Sequence, residues 1–451
     1  MELEDIKRVY LVGIGGIGMS GLARYFHHRS CLVAGYDRTP TPLTDALLTE
    51  GMEISFRDTT DSIPGEFLEN EGSTLIIYTP AVPRDSLILN YFLENNFTVK
   101  KRSAVLGLIS RNMYTIAVGG THGKTTTSTL VAHILRESGW NCTAFLGGIS
   151  ANYHTNVLLG NTDFLVVEAD EFDRSFLTLH PDIAIITAMD ADHLDIYGDV
   201  ESVRESFQLF ASQIKENGHL IHKKGLDLAG GSTYSATDIA DAYAENVRIE
   251  KGAFHFDFRS GTIRISNISM AVPGLHNVEN AVAAIKACVT LSLPSQKIKA
   301  AVESFRGVKR RFEYIIKNDR FLFIDDYAHH PEELRACLTA AKRLYPEKKL
   351  TVIFQPHLYS RTRDFANGFG EVLSMADELF LLDIYPAREE PIPGITSSVI
   401  LEKVHSTIKK LCSKEEVLEL VRERKPELLI TVGAGDIDML VEPIKNVLLH
   451  V

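Results

Sequence analysis

Short apolar runs alternate with helix-type patterns along most of the chain. The runs at residues 8–13, 31–36, 74–78 and 97–100 are typical of buried strands, and a glycine-rich turn at 13–18 leads into a helix. Strands separated by helices indicate a parallel sheet with crossover helices. We therefore predict a first α/β domain over residues 1–111.

The same alternation continues through two further domains. The second has predicted strands at 114–118, 164–167 and 183–187, and predicted helices at 203–214 and 277–291. Residues 245–272 alternate apolar and polar positions, which predicts antiparallel strands at an edge of that sheet. The third has predicted strands at 321–324, 350–354, 378–382 and 428–432, with a helix at 331–344 and another ending at 374. The predicted architecture is an α/β chain of three domains, covering residues 1–111, 112–307 and 308–451.

The composition excludes several classes of function. The 451 residues include 47 Lys or Arg and 59 Asp or Glu, which gives a formal net charge of −12. Such an acidic chain lacks the basic face that nucleic acids need, so we expect no nucleic-acid partner. No apolar run is long enough to cross a membrane. The five scattered cysteines form no CxxC pair and indicate buried thiols in a reducing cytoplasm.

The segment with the clearest chemistry lies at residues 114–128. A strand ends in Gly119-Gly120-Thr-His-Gly123, and a helix pattern opens at Lys124. The glycines let backbone N–H groups approach a phosphate, Lys124 supplies charge for the outer phosphates, and the Thr125 hydroxyl can hold Mg²⁺. The loop is one residue shorter than the common P-loop because position 118 is valine. An ordinary glycine turn is the alternative, but Gly-Lys-Thr directly after a strand favours a nucleotide site.

A second glycine-rich turn lies near the N-terminus. The pattern GIGGIG at residues 13–18 follows a strand, and Asp37 ends the next strand. Dinucleotide-binding domains use this arrangement to hold a diphosphate on the helix N-terminus and a ribose or base on the acid. Gly15, Gly16, Gly18 and Asp37 are therefore candidate ligands for NAD or a nucleotide sugar. A tight turn that binds nothing is the alternative.

Acidic and imidazole side chains follow two strands of the second domain. Glu168 comes directly after the strand at 164–167, where a second Mg²⁺ ligand belongs in a phosphate-loop domain. Asp170, Glu171 and Asp173 come next and are equally well explained by a solvated acidic loop. His193 follows the strand at 183–187 and is a candidate metal ligand by the same topology, although a lone histidine is often structural.

Three polar clusters lie further along the chain. Asn277 and Asn280 share one face of a helix start, where their amides can contact a base or cap the helix. Basic pairs at residues 310–311 and at 361 and 363 suit phosphates or carboxylates. The segment Asp-Asp-Tyr-Ala-His-His-Pro at 325–331 carries too many polar groups for a packing motif, though part of it can cap the helix that follows.

The order of these motifs resembles one known family. GGTHGKTTT, EADE, DADHLD, PGxHNxxNAxAA, RRFE, DDYAHHP, FQPHxYSRT and GAGDI, in that order, are similar to the motifs of the Mur ligases. The resemblance covers the chain from about residue 9 to residue 435, and the GIGGIGMSGLA and DDYAHHP forms resemble the branch that joins L-alanine to UDP-N-acetylmuramate. It implies a Rossmann-like N-terminal domain for the UDP-sugar, a P-loop-type central ATPase domain, and a Rossmann-like C-terminal domain that helps bind the amino acid.

The resemblance also implies roles for individual residues. The positions that match ATP-binding ones are Gly120, Thr121, His122, Gly123, Lys124, Thr125, Thr126, Asn277, Asn280 and Arg310. Thr125, Glu168 and His193 match the Mg²⁺ positions, and Tyr327, His329, Arg361 and Arg363 match the amino-acid positions. Lys124, His329 and Arg361 are the residues expected to act in catalysis. The first glycine loop would then hold the UDP diphosphate, which disfavours NAD.

The implied reaction is an ATP-dependent amide ligation. The carboxylate of UDP-N-acetylmuramate attacks the γ-phosphate of ATP to give an acyl phosphate, and the amine of L-alanine then displaces phosphate. One feature departs from many relatives, which carry a carbamylated lysine a little over a dozen residues after the histidine that matches His193. Ser206, Phe207 and Gln208 occupy that neighbourhood here. The alanine-adding branch is not expected to need this lysine.

Three other functions stay open at this level. A ligase of the same family could attach a preformed peptide to the UDP-sugar. An NAD-dependent oxidoreductase could use the first glycine loop, but it leaves Gly123, Lys124 and Thr125 unexplained. A nucleotide-binding regulator without enzymatic activity is the third possibility.

Overall fold

A computed structural model describes residues 3–69, 72–190, 199–250, 253–387, 389–406 and 408–450. The chain folds as two compact units. The N-terminal unit comprises Met1–Glu245, Asp257–Ile268 and Glu279–Arg306, and the C-terminal unit comprises Asn246–Phe256, Ser269–Val278 and Gly307–Val451. Most residues lie in helices and in three sheets whose neighbouring strands are mainly parallel, which confirms the predicted α/β class.

The first sheet is all parallel and has the order β3-β2-β1-β4-β5. Its strands are β1 (Arg8–Val12), β2 (Leu32–Tyr36), β3 (Glu53–Ser55), β4 (Thr74–Tyr78) and β5 (Thr98–Lys101). The helices of this region are α1 (Ile17–His28), α2 (Pro42–Thr49), α3 (Leu87–Glu94) and α4 (Arg102–Arg111), with 3₁₀ turns at Thr60–Ser62 and Gly65–Phe67. The central strand β1 is covered on both faces, which is why it is apolar without alternation.

The second sheet has ten strands in the order β15-β14-β13-β12-β11-β10-β6-β9-β7-β8. The strands are β6 (Tyr114–Gly119), β7 (Thr143–Phe145), β8 (Val157–Leu158), β9 (Phe164–Ala169), β10 (Ile183–Ile186), β11 (His219–Lys223), β12 (Ser232–Ser235), β13 (Ala242–Glu250), β14 (Ala253–Ser260) and β15 (Ile263–Met270). Its helices are α5 (Lys124–Glu137), α6 (Val200–Ser212), α7 (Leu275–Thr290) and α8 (Ser295–Ser304), with a 3₁₀ segment at Phe172–Thr178. The phosphate-loop strand β6 lies between β10 and β9, so the loops after all three strands meet at one edge.

The third sheet has the order β16-β17-β21-β18-β19-β20. The strands are β16 (Glu313–Lys317), β17 (Leu322–Asp326), β18 (Leu350–Phe354), β19 (Glu378–Leu381), β20 (Ile408–Leu411) and β21 (Leu428–Val432). The helices are α9 (Pro331–Leu344), α10 (Tyr359–Leu373), α11 (Ser398–Leu401), α12 (Lys414–Arg424) and α13 (Val441–Leu449), with a 3₁₀ turn at Asp436–Leu440. Only β16 runs antiparallel to its neighbour among the described pairings of this sheet.

The predicted elements agree with the structure wherever the hydrophobic pattern is strong. The strands at 74–78, 350–354 and 428–432 and the helix at 331–344 have the predicted bounds, and residues 245–272 form β13, β14 and β15 at one edge of the ten-stranded sheet. The short edge strands β3, β8, β16 and β20 were not predicted, and neither were β7, β11 and β12 inside the ten-stranded sheet. An edge strand of two to five residues buries too little apolar surface to leave a clear pattern.

Candidate active site

The phosphate loop connects β6 to α5 in a backbone conformation that favours glycine. Gly120 and Gly123 have φ angles of +136° and +81°, in the region that other residues rarely adopt. A Cβ atom at Gly120 would collide with Thr187, and one at Gly123 would lie 2.7 Å from Oδ1 of Asn280. Both positions therefore require glycine, and the loop leads directly into the N-terminus of α5, where a helix favours an anion.

Lys124 is held in this loop by one carbonyl and one carboxylate. Its Nζ atom donates to the carbonyl of Gly120 at 2.7 Å and lies 2.9 Å and 2.7 Å from the two oxygens of Glu171. Burial by itself would lower the pKa of Lys124, but the charges of Glu171, Glu168 and Asp170 outweigh burial and raise it. Lys124 is therefore a fixed cation at the mouth of the loop.

The acidic segment after β9 is only partly the solvated loop that the sequence allowed. Glu171 is only 1% exposed, so that alternative is wrong for this residue. Asp170 is more exposed and lies 3.3 Å from Nη2 of Arg102. Asp173 lies in the 3₁₀ segment at Phe172–Thr178, and its side chain is outside what the structure describes.

Thr125 and Glu168 are brought together as predicted. The Thr125 hydroxyl donates to Oε1 of Glu168 at 3.1 Å, and the N–H of Gly147 donates to Oε2 at 3.0 Å. A hydroxyl beside a carboxylate at the edge of a phosphate loop is a hard-oxygen donor set that fits Mg²⁺. His193 lies outside the described residues, and among the residues that are described no group of three His, Cys, Asp or Glu side chains is placed to hold a metal.

Residues that follow β10 form hydrogen bonds to the phosphate loop. The Thr187 hydroxyl donates to the carbonyls of Gly119 and His122, and the N–H of Asp190 donates to the Thr121 hydroxyl at 3.1 Å. Nε2 of His122 lies 3.6 Å from a carboxylate oxygen of Asp190. Thr121 and His122 therefore connect the loop to the segment after β10. Thr126 is buried in the first turn of α5.

The first glycine loop is organised by Asp37. The N–H of Gly15 donates to Oδ2 of Asp37 at 2.7 Å, and the N–H of Thr39 donates to Oδ1 at 3.3 Å. A Cβ atom at Gly15 would lie 2.9 Å from Oδ2 of Asp37, whereas one at Gly16 would meet nothing closer than 3.6 Å. The acid predicted to contact a ribose or base thus holds the loop itself in this structure.

Arg102 is a residue of this site that sequence reasoning missed. It begins α4, and a Cβ atom at Gly18 would lie 2.7 Å from its Nη1 atom. Its Nη2 atom lies 3.3 Å from Oδ2 of Asp170, and it lines a pocket together with Glu168 and Phe176. The available signal was the basic run Lys100-Lys101-Arg102 at the end of a strand.

The two asparagines at the start of α7 have different surroundings. Asn280 lies beside Gly123 of the phosphate loop. Asn277 donates from Nδ2 to the carbonyl of Pro273 at 2.6 Å, which is a contact within the turn before the helix. A cap would accept from first-turn N–H groups, so this donor contact does not decide between capping and base contact, and the adenine contacts of both residues stay predictions.

In the C-terminal unit, Arg310 is fixed at the carboxyl ends of β17 and β21. Its Nε atom lies 3.0 Å from Oδ2 of Asp325, and its Nη2 atom donates to the carbonyl of Gly433 at 2.6 Å. Its guanidinium also lies 5.2 Å from the ring centre of Tyr327. The arginine therefore braces this edge of the sheet, and its contact with ATP stays a prediction.

His329 is the centre of a polar cluster in the same unit. Its Nδ1 atom lies 3.0 Å from the Tyr327 carbonyl and 3.3 Å from Oε2 of Glu333. A carbonyl can only accept, so the contact with Tyr327 requires a proton on Nδ1 and leaves Nε2 as the acceptor. Burial lowers the pKa of His329 to about 4 against the opposing charge of Glu333. The neutral ring is therefore the stable form near neutral pH.

Other residues around this histidine differ in how well they fit the predicted site. Arg361 is buried and close enough to lower the pKa of His329, whereas Arg363 pairs with Asp364 at 2.7 Å and its side chain is 52% exposed. His357, which sequence reasoning did not single out, packs edge-on against His329 with ring centres 5.8 Å apart. The structure thus brings Tyr327, His329 and Arg361 near one another and gives Arg363 an outward contact.

Comparison with known proteins places this geometry in a family. The Mur ligase catalytic-domain, middle-domain and glutamate-ligase-domain models match residues 8–114, 118–288 and 310–435. A UDP-N-acetylmuramate–L-alanine ligase of Parabacteroides distasonis is 49% identical over 99% of this chain and 98% of its own length. The chain belongs to the Mur ligase family. The enzyme of the same name from Flavobacterium psychrophilum is also 49% identical, over 99% of both chains.

Solved structures of Mur ligases share the whole architecture. The UDP-N-acetylmuramate-alanine ligase of Thermotoga maritima has a TM-score of 0.83 and 27% identity, covering 97% of this chain and 98% of that one. A murein peptide ligase of Psychrobacter arcticus, at 23% identity, shares the fold with a TM-score of 0.70 over 99% of both chains. As in the sequence, no helix among the described residues has the length and apolar character needed to cross a bilayer.

Proposed function

We propose that this chain is an ATP-dependent ligase that joins L-alanine to the carboxylate of UDP-N-acetylmuramate and releases ADP and phosphate. The observation that carries the proposal is the assembly of Lys124, Thr125 and Glu168 at one loop, in a chain that matches alanine-adding relatives at 49% identity over its whole length. We place its domain boundaries at 111/112 and 307/308. We propose that it acts in the synthesis of peptidoglycan precursors in the cytoplasm.

The phosphate loop supplies the charge that phosphoryl transfer needs. Lys124 and the N–H groups at the start of α5 neutralise the outer phosphates of ATP while the sugar carboxylate attacks, so catalysis consists mainly of positioning and electrostatics. Thr125 and Glu168 would hold Mg²⁺, with His193 as a further ligand, and the cation would screen the charge on the phosphate oxygens. Asn277, Asn280 and Arg310 would contact the nucleotide beyond its phosphates.

The first glycine loop would hold the diphosphate of the UDP-sugar. Gly15, Gly16 and Gly18 lie at the start of α1, and Arg102 adds a cation beside Gly18. A diphosphate oxygen would replace Asp37 as the acceptor of the hydrogen bond from the Gly15 N–H. No lysine is present within this loop, so the arginine and the helix N-terminus would carry the electrostatic attraction.

The cluster around His329 would bind the amino acid. Arg361 supplies a cation for the alanine carboxylate, and the neutral ring of His329 offers Nε2 to the amine. The amine must be neutral to attack, and the neutral ring can accept a hydrogen bond from it at Nε2 and orient it. Arg363, with its outward contact, is the weakest member of this set.

The decisive experiment measures phosphate release from ATP with UDP-N-acetylmuramate and one amino acid or peptide at a time. We expect L-alanine to be the best acceptor and glycine to be used between tenfold and a few hundredfold less well, because one methyl group in a pocket discriminates by about that much. Larger side chains should be excluded by size.

Three results would contradict the proposal. A preference for a preformed tripeptide would indicate a peptide-recycling ligase. Binding of NADH at the first glycine loop would indicate an oxidoreductase. Nucleotide binding without phosphate release, with both other substrates present, would indicate a regulator.

A further inference from the structure

Glu171 is a buried carboxylate that the reaction described above does not use. Its two oxygens lie 2.9 Å and 2.7 Å from Nζ of Lys124, and it is 1% exposed. It follows Glu168 by three residues in the loop after β9, so one short acidic segment contacts both the lysine and the threonine of the phosphate loop. A carboxylate is buried in this way only when a cation compensates for its lost hydration.

We propose that Glu171 is a counter-charge for Lys124 that competes with the outer phosphates of the nucleotide and thereby weakens its binding. The proposal rests on the proposed function, because it takes the anion of this loop to be ATP or ADP. Glu171 is a positioning residue in this scheme: it acts through the lysine.

Two opposing effects decide the outcome of removing this charge. Glu171 helps to keep Lys124 charged and oriented, which would favour phosphate binding. It also places a negative charge beside the position of the phosphates, which would disfavour it. Lys124 keeps its Gly120 contact at 2.7 Å and the attraction of Glu168 and Asp170 without Glu171. Lys124 therefore stays charged and nearly in place. The loss of repulsion between Glu171 and the phosphates then has the larger effect, and nucleotide affinity rises.

The test is the affinity of the purified full-length protein for ADP, measured by calorimetry. We expect Glu171→Gln, which keeps the shape of the side chain, to bind ADP about tenfold more tightly, a change of about 1.4 kcal/mol. AMP affinity should change much less because AMP lacks the outer phosphate. A gain in affinity is not a result that simple damage to the fold produces.

Asp170→Asn is the matched control. It removes the same charge from the same loop, but Asp170 contacts Arg102 rather than Lys124. We expect less than a threefold change in ADP affinity for this variant, since only the long-range part of the charge is lost. Glu171→Ala should tighten ADP binding as well and serves as the second variant if Glu171→Gln folds poorly.

Unchanged or weaker ADP binding in folded Glu171 variants would overturn the inference. Equal gains in Glu171→Gln and Asp170→Asn would also overturn it, because they would show a general effect of charge. If the unaltered protein binds no ADP at all, the proposed function fails first, so the two failures are distinguishable.

Discussion

The two glycine loops of the N-terminal unit have the same strand–loop–helix context but contact different side chains. Each follows a buried parallel strand and opens a helix, and in each a carboxylate contacts a group that an anion would bind. At the first loop Asp37 accepts the N–H of Gly15 at 2.7 Å. At the second, Glu171 and Glu168 contact the side chains of Lys124 and Thr125.

This difference separates two kinds of phosphate recognition. The first loop offers backbone N–H groups, a helix end and the guanidinium of Arg102 beside Gly18. These groups can hold a diphosphate that does not react. The second loop adds a fixed ammonium and a hydroxyl beside a carboxylate, which can stabilise charge that changes during transfer. We therefore propose that the first loop binds the UDP-sugar and that the second loop carries the chemistry.

The largest effect is expected at the second loop. Lys124→Ala should reduce phosphate release by a factor of about 10² or more, because one preorganised charge in a transfer site has roughly that effect. The measurement is turnover at saturating substrates, with circular dichroism as the check of folding. The affinity for UDP-N-acetylmuramate should stay near normal. Turnover close to that of the unaltered protein would remove the distinction between the two loops.

The next effect is expected at the first loop. A Cβ atom at Gly18 would lie 2.7 Å from Nη1 and 3.1 Å from Cδ of Arg102. Gly18→Val should therefore displace the arginine and weaken UDP-N-acetylmuramate binding by on the order of tenfold, while ATP affinity is retained. Calorimetry with each nucleotide would decide.

Gly65→Val is the control for this change, since a Cβ atom at Gly65 meets nothing within 4 Å. It should leave both affinities unaltered. Loss of ATP affinity with normal UDP-sugar affinity in Gly18→Val would reverse the assignment of the two loops.

The smallest effect concerns the carboxylates beside the loops. Glu168→Gln should raise the Mg²⁺ concentration needed for half-maximal turnover by roughly fivefold, because an amide lacks the charge that attracts a divalent cation. The paired variant Asp37→Asn should leave that Mg²⁺ concentration unchanged, since Asp37 contacts backbone N–H groups of the first loop. A magnesium titration of turnover measures both. An equal shift in the two variants would mean that neither carboxylate is specific to the metal.

The sequence by itself determined the class of fold and most of the second loop. Mainly apolar runs such as Leu350–Phe354 predict their strands because a strand covered on both faces buries every side chain. Gly120, Gly123 and Lys124 could be proposed as a phosphate site because the motif depends only on residue order along the chain. Thr125 and Glu168 were paired correctly from topology, since adjacent parallel strands end at the same edge of the sheet.

Tertiary structure alone decided which charges meet. Arg102 is 68 residues from Asp170, and Lys124 is 47 residues from Glu171, so no local pattern relates them. In the sequence Glu171 is one of several acidic residues, but in the fold it is buried and contacts the phosphate-loop lysine. Burial also made His329 neutral, and the Tyr327 carbonyl fixed the proton on Nδ1. The sequence specifies the groups, but their charges and partners depend on desolvation and distance, which arise only when the chain folds.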